Sequence, residues 1–234
     1  MKRALLIFTI ILISSATYCQ MQIGIKAGYC WLKILQADND YHPATITYDR
    51  NSFPLSIYLC QRSPHLINFH LEIEYMKRSY SLYEYWGGLG SRGQANYKII
   101  ANYLSVIVEP QFVFGKKVKY FIFPGIYIGI PLYSSAKGTV SEPSYPYPHY
   151  STYTISGNAK EYIQDVELGA LAGVGIDIPI YQELKITMQY IFSISLIPLE
   201  SKWRENSFRF MQNKIEVGIA YQFNLKKGTD KESK

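Results

Sequence analysis

The segment KIEVGIAYQFN, residues 214–224, decides the fold because its side chains alternate strictly between two kinds. One row is apolar and consists of Ile215, Val217, Ile219, Tyr221 and Phe223. The other row is small or polar and consists of Glu216, Gly218, Ala220, Gln222 and Asn224. Successive side chains of a β-strand point to opposite faces, so this period of two predicts a strand with one apolar and one polar face.

Other segments of similar length alternate in the same way, to differing degrees. They are residues 23–31, 53–60, 69–75, 104–112, 120–132, 166–178 and 186–196. Eight segments of about ten residues suit tilted strands that cross the hydrocarbon layer of a bilayer. The joins QRSPH, GKKVK and PIYQE are short and the intervening joins are mostly longer, an asymmetry typical of bacterial barrels. We therefore predict an all-β, eight-stranded, antiparallel, up-and-down transmembrane β-barrel.

Alternation alone also fits a soluble barrel of the lipocalin type, which turns its apolar row inward around a ligand. The polar rows favour the membrane form, because they are rich in Gly, Ser, Gln and Glu and poor in the Lys of a solvent face. Basic residues lie in or beside the long joins, outside the predicted membrane band: Arg50, Arg78, Arg92, Lys98, Lys137, Lys202 and Arg204. Aromatic residues gather at strand ends, as an interfacial girdle requires: Trp31, Tyr80, Tyr83, Tyr85, Trp86 and Tyr133.

The N-terminal segment predicts export from a Gram-negative cell to its outer membrane. Lys2 and Arg3 precede the apolar run ALLIFTIILI, and small polar residues follow it, which is the pattern of a secretory signal peptide. We assign residues 1–19 to the signal peptide, with cleavage after Cys19 or Ala16. Residues 20–224 form the predicted barrel domain, and residues 225–234 form a charged tail.

The distribution of charge argues against nucleic acid as a partner. Of the formal net charge of +6, two charges belong to the signal segment and two to the tail KKGTDKESK, so no basic stripe remains for nucleic acid.

Cys30 and Cys60 are either a disulfide, which an oxidising periplasm permits, or two buried free thiols. The sequence leaves this choice open.

Charged residues in the polar rows are expected inside the barrel. Eight strands enclose a space that side chains can fill, so we expect no diffusion pore, and enclosed charges need partners. We predict a hydrogen-bonded polar network in the interior, with a proton or ion path as the alternative. Its members are Lys26, His70, Glu72, Glu74, Glu109, Asp165, Glu167, Asp177, Lys185 and Glu216.

No motif predicts catalysis, a metal or a cofactor. The sequence has no His/Cys cluster with metal-ligand spacing and no Gly-rich phosphate loop between a strand and a helix. We therefore expect a non-enzymatic protein with a structural or loop-mediated binding role. As a further alternative, His70 shares a face with Glu72 and Glu74 and is a candidate general base of a lipid-modifying enzyme.

The long join 134–160 contains SEPSYPYPHYSTYTISG and is the candidate binding loop. Its tyrosines offer rigid amphipathic contact surface, although they equally suit a cap on the barrel or a place among lipid headgroups. The residues concerned are Tyr145, Tyr147, His149, Tyr150 and Tyr153. Four basic residues are candidates to pair with lipopolysaccharide phosphates or are simply solvated: Arg92, Lys98, Lys137 and Arg204.

Five stretches together resemble the PorT-like outer-membrane β-barrel family. They are GIKAGY (24–29), LEIEY (71–75), NYLSVIVEPQFVFG (102–115), ELGALAGVGIDI (167–178) and VGIAYQFN (217–224). The resemblance implies a fold and a membrane address, and it offers a component of an outer-membrane secretion machinery as the alternative function. One departure is that the chain continues past Phe223, whereas barrel-assembly signals usually end on the terminal aromatic residue.

Overall fold

The described part of the chain is built from antiparallel strands. A computed structural model describes residues 20–36, 45–48, 51–62, 67–86, 93–144, 149–159, 163, 165–197, 199–201 and 204–224. Its strands are β1 (Gln20–Gln36), β2 (Thr45–Tyr48), β3 (Asn51–Ser52), β4 (Leu55–Arg62), β5 (Ile67–Trp86), β6 (Gly93–Phe114), β7 (Lys119–Ser144), β8 (His149–Asn158), β9 (Glu167–Pro179), β10 (Leu184–Ser195), β11 (Leu199–Ser201) and β12 (Arg204–Asn224). None of the described residues forms a helix suited to spanning a membrane. The predicted signal peptide and charged tail lie outside these ranges.

Eight of the strands close into a ring. β1, β4, β5, β6, β7, β9, β10 and β12 each pair antiparallel with the next, and β12 returns to pair with β1. The closing register runs from Gln20 opposite Asn224 to Gln36 opposite Phe208. The predicted all-β, eight-stranded, up-and-down barrel is confirmed. Each predicted segment lies in one ring strand, apart from the first residues of the second and sixth segments and the last residue of the seventh. Closure leaves the ring without an edge strand.

The two rows of each strand face opposite environments. Apolar residues point outward, with Ile57 49%, Ile126 54% and Ile219 52% exposed, whereas Glu109 and Glu216 are at most 1% exposed. This orientation is the one predicted for a transmembrane barrel and the reverse of a lipocalin. The soluble-barrel alternative is therefore wrong.

The interior is divided along its length. We call the end that carries turns 115–118 and 180–183 the short-turn end, and the opposite end the rim. A cluster of buried, mostly apolar side chains fills the rim and is named the rim plug: Leu32, Tyr80, Ala95, Tyr97, Ile99, Ala101, Tyr103, Ala136, Val140, Ala159, Ile163 and Phe210. Ala159 and Ile163 come from the segment after β8, so the chain folds back into the mouth of the barrel.

Several strands continue beyond the rim as a sheet. β6 and β7 stay paired as far as Gln94 opposite Ser141, β2 pairs with the upper part of β5, and β8 pairs with β7 from Ser135 to Ser144. We name β2, β8 and the upper parts of β5, β6 and β7 the rim sheet. The long join predicted over residues 134–160 is therefore mostly regular structure, since residues 135–144 pair with residues 149–158.

The aromatic residues are only partly placed as expected. Trp31 and Tyr133 are exposed on the outer surface, and the Tyr29 and Trp31 rings meet edge to face, 4.7 Å between centroids. Near the short-turn end, Phe114 and Tyr120 stack. Tyr80, in contrast, points inward and is 3% exposed within the rim plug, so its assignment to an interfacial girdle is wrong. The reason is that β5 does not end near Tyr75 but continues to Trp86.

The two cysteines of the described residues are buried free thiols. Cys60 lies opposite Gln22 on β1, eight positions before Cys30. That offset corresponds to about 26 Å along a strand, far beyond disulfide reach. Of the two possibilities left open, the structure shows the free thiols.

A charge placed on the outward row tests the orientation of the barrel. We expect Ile126→Lys to destabilise the barrel in lipid vesicles by about 2–4 kcal/mol, because a lysine near the bilayer midplane loses its hydration. Thr139→Lys on the same strand, above the rim, is the matched control and is expected to be nearly neutral. Reversible urea unfolding in vesicles measures both, and equal effects would contradict the assigned membrane band.

Candidate functional site

The candidate site is a group of charged side chains in the middle of the barrel, named the central cluster. Each member is at most 3% exposed: Lys26, His70, Glu72, Glu74, Glu109, Lys214 and Glu216. His70, Glu72 and Glu74 occupy alternate positions of β5 and so share the inward face. The register then brings neighbouring strands to them, with His70 directly opposite Glu109 on β6.

Two lysines link three of the glutamates into a chain. The Lys26 ammonium contacts the Glu72 carboxylate and lies 3.4 Å from Glu216 Oε2. The Lys214 ammonium donates to Glu74 Oε2 at 2.5 Å and lies 3.7 Å from Glu216 Oε1. Glu216 thus stands between both cations, where the low dielectric strengthens these charge-assisted contacts.

Two glycines make room for this chain of charges. A Cβ at Gly218 would lie 2.6 Å from Cγ of Lys26, and one at Gly28 would lie 2.6 Å from Cγ of Glu216. In each pair the glycine lies on the neighbouring strand, directly opposite the residue with the long side chain. The absence of a side chain at these positions lets the lysine and glutamate stems lie flat against the neighbouring strand.

The imidazole of His70 stands apart from the lysine chain. His70 Nδ1 lies 3.2 Å from Glu109 Oε2 and 3.9 Å from Glu72 Oε2. Neither approach has hydrogen-bond geometry, and Nδ1, Glu72 Oε1 and both Glu109 carboxylate oxygens lack a hydrogen-bond partner. His70, Glu72 and Glu109 each offer a donor atom, and these atoms lie within 4.8 Å of one another. The spacing of these residues in the sequence does not predict the group, because the register between β5 and β6 is what places Glu109 beside His70.

A buried ion pair flanks the central cluster on the rim side. The Arg78 guanidinium contacts the Glu167 carboxylate, which also accepts a 2.6 Å hydrogen bond from the Tyr127 hydroxyl. The same guanidinium lies over the Tyr103 ring, 4.2 Å from its centroid. This arginine is 1% exposed, so its prediction as a basic residue outside the membrane band is wrong.

A second ion pair lies at the short-turn end. Arg62 contacts Asp177, and Asp177 Oδ1 also accepts a hydrogen bond of 2.8 Å from the Thr187 hydroxyl. Arg62 Nε donates to Gln22 Oε1 at 2.8 Å. Lys185, half-buried nearby, donates to the side chain of Gln222. Both ends of the interior therefore hold charges that already have partners.

Most of the sequence-predicted interior residues lie inside the barrel, and one does not. Asp165 is exposed and precedes β9, which begins at Glu167. The physical reason is that β9 pairs with β7 only up to Gly129 opposite Glu167. Above that point β8 occupies the same edge of β7, so β9 has no partner that would extend it to Asp165.

Three interior cations were missed in the sequence: Arg62, Arg78 and Lys214. Lys214 lies two positions before Glu216, so the period-two rule already placed both on one face. Arg78 continues the even-numbered row of His70, Glu72 and Glu74, but the strand was expected to end before it. The predicted strand ends excluded Arg62 and Arg78, whereas Lys214 lies inside the predicted strand 214–224 and was left out of its inward row.

The candidate binding loop is largely a strand. Tyr145 and Tyr147 lie outside the described residues, and His149 and Tyr150 belong to β8. Tyr153 is 41% exposed on β8, and its hydroxyl donates to Glu142 Oε1 at 3.1 Å. Among the basic candidates, Lys98 and Lys137 are exposed and directly opposite each other, Arg204 begins β12, and Arg92 is not described.

No protein-family model and no curated protein matches the chain. Solved outer-membrane proteins are similar to it at low identity. The attachment invasion locus protein Ail of Yersinia pestis is 13% identical over 87% of this chain and 99% of Ail, with a TM-score of 0.42. Neisserial surface protein A is 10% identical, over 87% and 97%, with a TM-score of 0.42. The Escherichia coli outer-membrane protease OmpT is 8% identical, over 88% and 98%, with a TM-score of 0.49. Similarities this distant carry no argument about activity.

Breaking one buried ion pair tests the energetic role of the interior. We expect Glu167→Gln to lower the free energy of unfolding by about 3–5 kcal/mol, because Arg78 is left as an uncompensated buried charge. Adding Arg78→Met is expected to recover most of that loss. Glu142→Gln on the rim sheet is the control, expected to change stability by less than about 1 kcal/mol. Equilibrium urea unfolding compares the four proteins, and a double variant weaker than Glu167→Gln would oppose this account.

Proposed function

We propose that this protein is a non-enzymatic, integral outer-membrane β-barrel that holds the rim sheet above the membrane as a binding platform. The observation that carries the proposal is the inverted polarity of the barrel, with apolar residues outside and charges inside. Monomeric soluble proteins rarely expose apolar patches beyond a few hundred Å². A continuous apolar belt is stable only where lipid covers it.

The closed ring supports residence in a bilayer, and the two ends support an orientation. Lipid offers no hydrogen bonds, so a spanning sheet must pair every backbone group within itself, as the ring does. Bacterial outer-membrane barrels place short turns in the periplasm and longer elements outside. We therefore place the short-turn end in the periplasm and the rim sheet at the cell surface, in line with the predicted signal peptide.

The filled interior argues against transport and against the enzyme alternative. The rim plug occupies one end of the barrel, and the central cluster occupies the middle. His70, the candidate general base, is 3% exposed and packed against Tyr58, with 4.7 Å between ring centroids. Enclosed between Tyr58 and Glu109, its imidazole is shielded from the lipid that surrounds the barrel.

β8 provides the binding surface of this proposal. Its side chains between Ser151 and Asn158 are exposed wherever they are described, and most carry hydroxyl or amide groups. In the part of the chain that the structure describes, β8 pairs with β7 alone, so its other edge is open to an added strand. Lys98 and Lys137, on the outer face of β6 and β7 beside it, are suited to lipopolysaccharide phosphates.

A component of an outer-membrane secretion machinery is the second candidate. It rests on the resemblance of segments such as LEIEY and ELGALAGVGIDI to the PorT-like family. Under that hypothesis the periplasmic side of the barrel would meet other secretion proteins. The platform hypothesis instead places the principal contacts at the rim.

Fractionation tests the membrane assignment. We expect the full chain, expressed in a Gram-negative host, to remain in the outer-membrane pellet after carbonate or urea washing. We also expect the unboiled protein to migrate differently from the boiled protein in a denaturing gel, because a folded barrel resists detergent unfolding. A soluble periplasmic band without such a shift would sink the proposal.

Site-specific photo-crosslinking separates the two candidates. A photoreactive residue at Thr154 on β8 is expected to give adducts in intact cells, whereas the same residue at Lys116 in a short turn is expected to give few. Both side chains are exposed, so reactivity is matched. Adducts with a reproducible set of secretion proteins from Lys116, and none from Thr154, would favour the second candidate.

A further inference from the structure

Among the described residues, nine side chains leave a buried polar atom without a hydrogen-bond partner, and three of them, His70, Glu72 and Glu109, lie together. His70 is 3% exposed, and Glu72 and Glu109 are 0% exposed. His70 Nδ1, Glu72 Oε1 and both Glu109 carboxylate oxygens have no hydrogen-bond partner. An unmet buried polar group destabilises the fold, and more so when it is charged, so several of them at one point indicate a ligand.

The charges around these atoms are unbalanced. The central cluster has four carboxylates, of Glu72, Glu74, Glu109 and Glu216, and only the two ammonium groups of Lys26 and Lys214. With a neutral imidazole its formal charge is minus two. The Arg78–Glu167 and Arg62–Asp177 pairs are each balanced and supply no excess cation. An enclosed charge of this size is expensive, and one dication would neutralise it.

The positions of the donor atoms fit a metal ion. Ligands at about 2.0–2.2 Å from a tetrahedral zinc lie about 3.4 Å from one another. His70 Nδ1 and Glu109 Oε2 are 3.2 Å apart, and the donor atoms of all three residues lie within 4.8 Å. Glu72 Oε2 lies 3.9 Å from His70 Nδ1 and is held by Lys26, and Oε1 of the same carboxylate has no hydrogen-bond partner.

The ligand types indicate a class of cation. One imidazole nitrogen with two carboxylates suits Zn²⁺ and similar first-row divalent ions, whereas Mg²⁺ and Ca²⁺ prefer oxygen ligands alone. A second acidic group, Glu72, Glu74 and Glu216, is close enough in space but already holds both lysine ammonium groups. It therefore offers no comparable site.

The imidazole of His70 borders a small cavity on the side of the short-turn end. Gln22, Arg62, Gln111 and Asp177 also line this cavity. The rim plug fills the opposite end of the barrel. A cation would therefore enter from the short-turn end, past the Arg62–Asp177 ion pair.

We propose that His70, Glu72 and Glu109 bind one Zn²⁺-type divalent cation inside the barrel. The ion would join β5 to β6 and neutralise the central cluster, with water completing its coordination. The proposal concerns the barrel interior alone and does not depend on what the rim sheet binds.

Metal titration of the full chain tests the site. The protein is purified from membranes in detergent without a polyhistidine tag, stripped with EDTA, and titrated with Zn²⁺ in a calorimeter. We expect about one Zn²⁺ per chain, and a loss of affinity of more than about 100-fold in Glu109→Gln, since changes outside the ligand shell alone cost 10–100-fold. Glu142→Gln on the rim sheet is the control, because this acid lies outside the central cluster, and the variant should keep its affinity.

Two further measurements separate loss of the site from loss of the fold. The gel shift on boiling shows whether each variant forms a barrel, and Co²⁺ gives a visible absorption band that should disappear in His70→Gln. If Glu109→Gln does not fold, wild-type protein decides, since Zn²⁺ should raise the urea midpoint of stripped protein and Mg²⁺ should not. Absence of Zn²⁺ binding by wild type, or unchanged binding in a folded Glu109→Gln, would overturn the proposal and leave protonation to neutralise the cluster.

Discussion

The constraint behind this structure is that lipid cannot hydrogen-bond to the backbone. Each ring strand therefore pairs on both sides across the membrane band, and the sheet can end only by closing on itself between β1 and β12. Closure with eight strands leaves a narrow interior. The inward rows have no water to meet their charges, so the charges must meet one another, as Lys26 does with Glu72.

The narrow interior also explains why long side chains on one strand lie against glycines on the neighbouring strand. Lys26 lies against Gly218, Glu216 against Gly28, and the Tyr127 ring against Gly169. A Cβ at any of these glycines would overlap the long side chain, so substitution would displace a buried charge or ring rather than fill a void. The same side chains therefore determine both the packing and the electrostatics of the interior.

The eight strands and the direction of their faces followed from local alternation, as in residues 214–224, where each side chain's face depends only on its neighbours in sequence. The ends of the strands could not be predicted in this way, because they depend on the neighbouring strands. Asp165 lies outside β9 because β8 occupies the edge of β7 with which a longer β9 would pair. The ion pairs did not follow either. Arg78 and Glu167 are 89 positions apart, and only the register around the ring brings them together.

Burying charges in this way needs a reason, because an apolar interior of equal volume is often at least as stable. The export that the sequence predicts supplies one. A chain whose strands were apolar on both faces would contain long apolar runs, which insert into membranes as helices before any barrel can form. A polar residue at every second position prevents such runs, and it obliges the finished barrel to hold those residues inside. That requirement is met by balanced pairs such as Arg62 with Asp177. Interrupting apolar runs requires polar residues but no net charge. It therefore does not account for the excess of acids around His70.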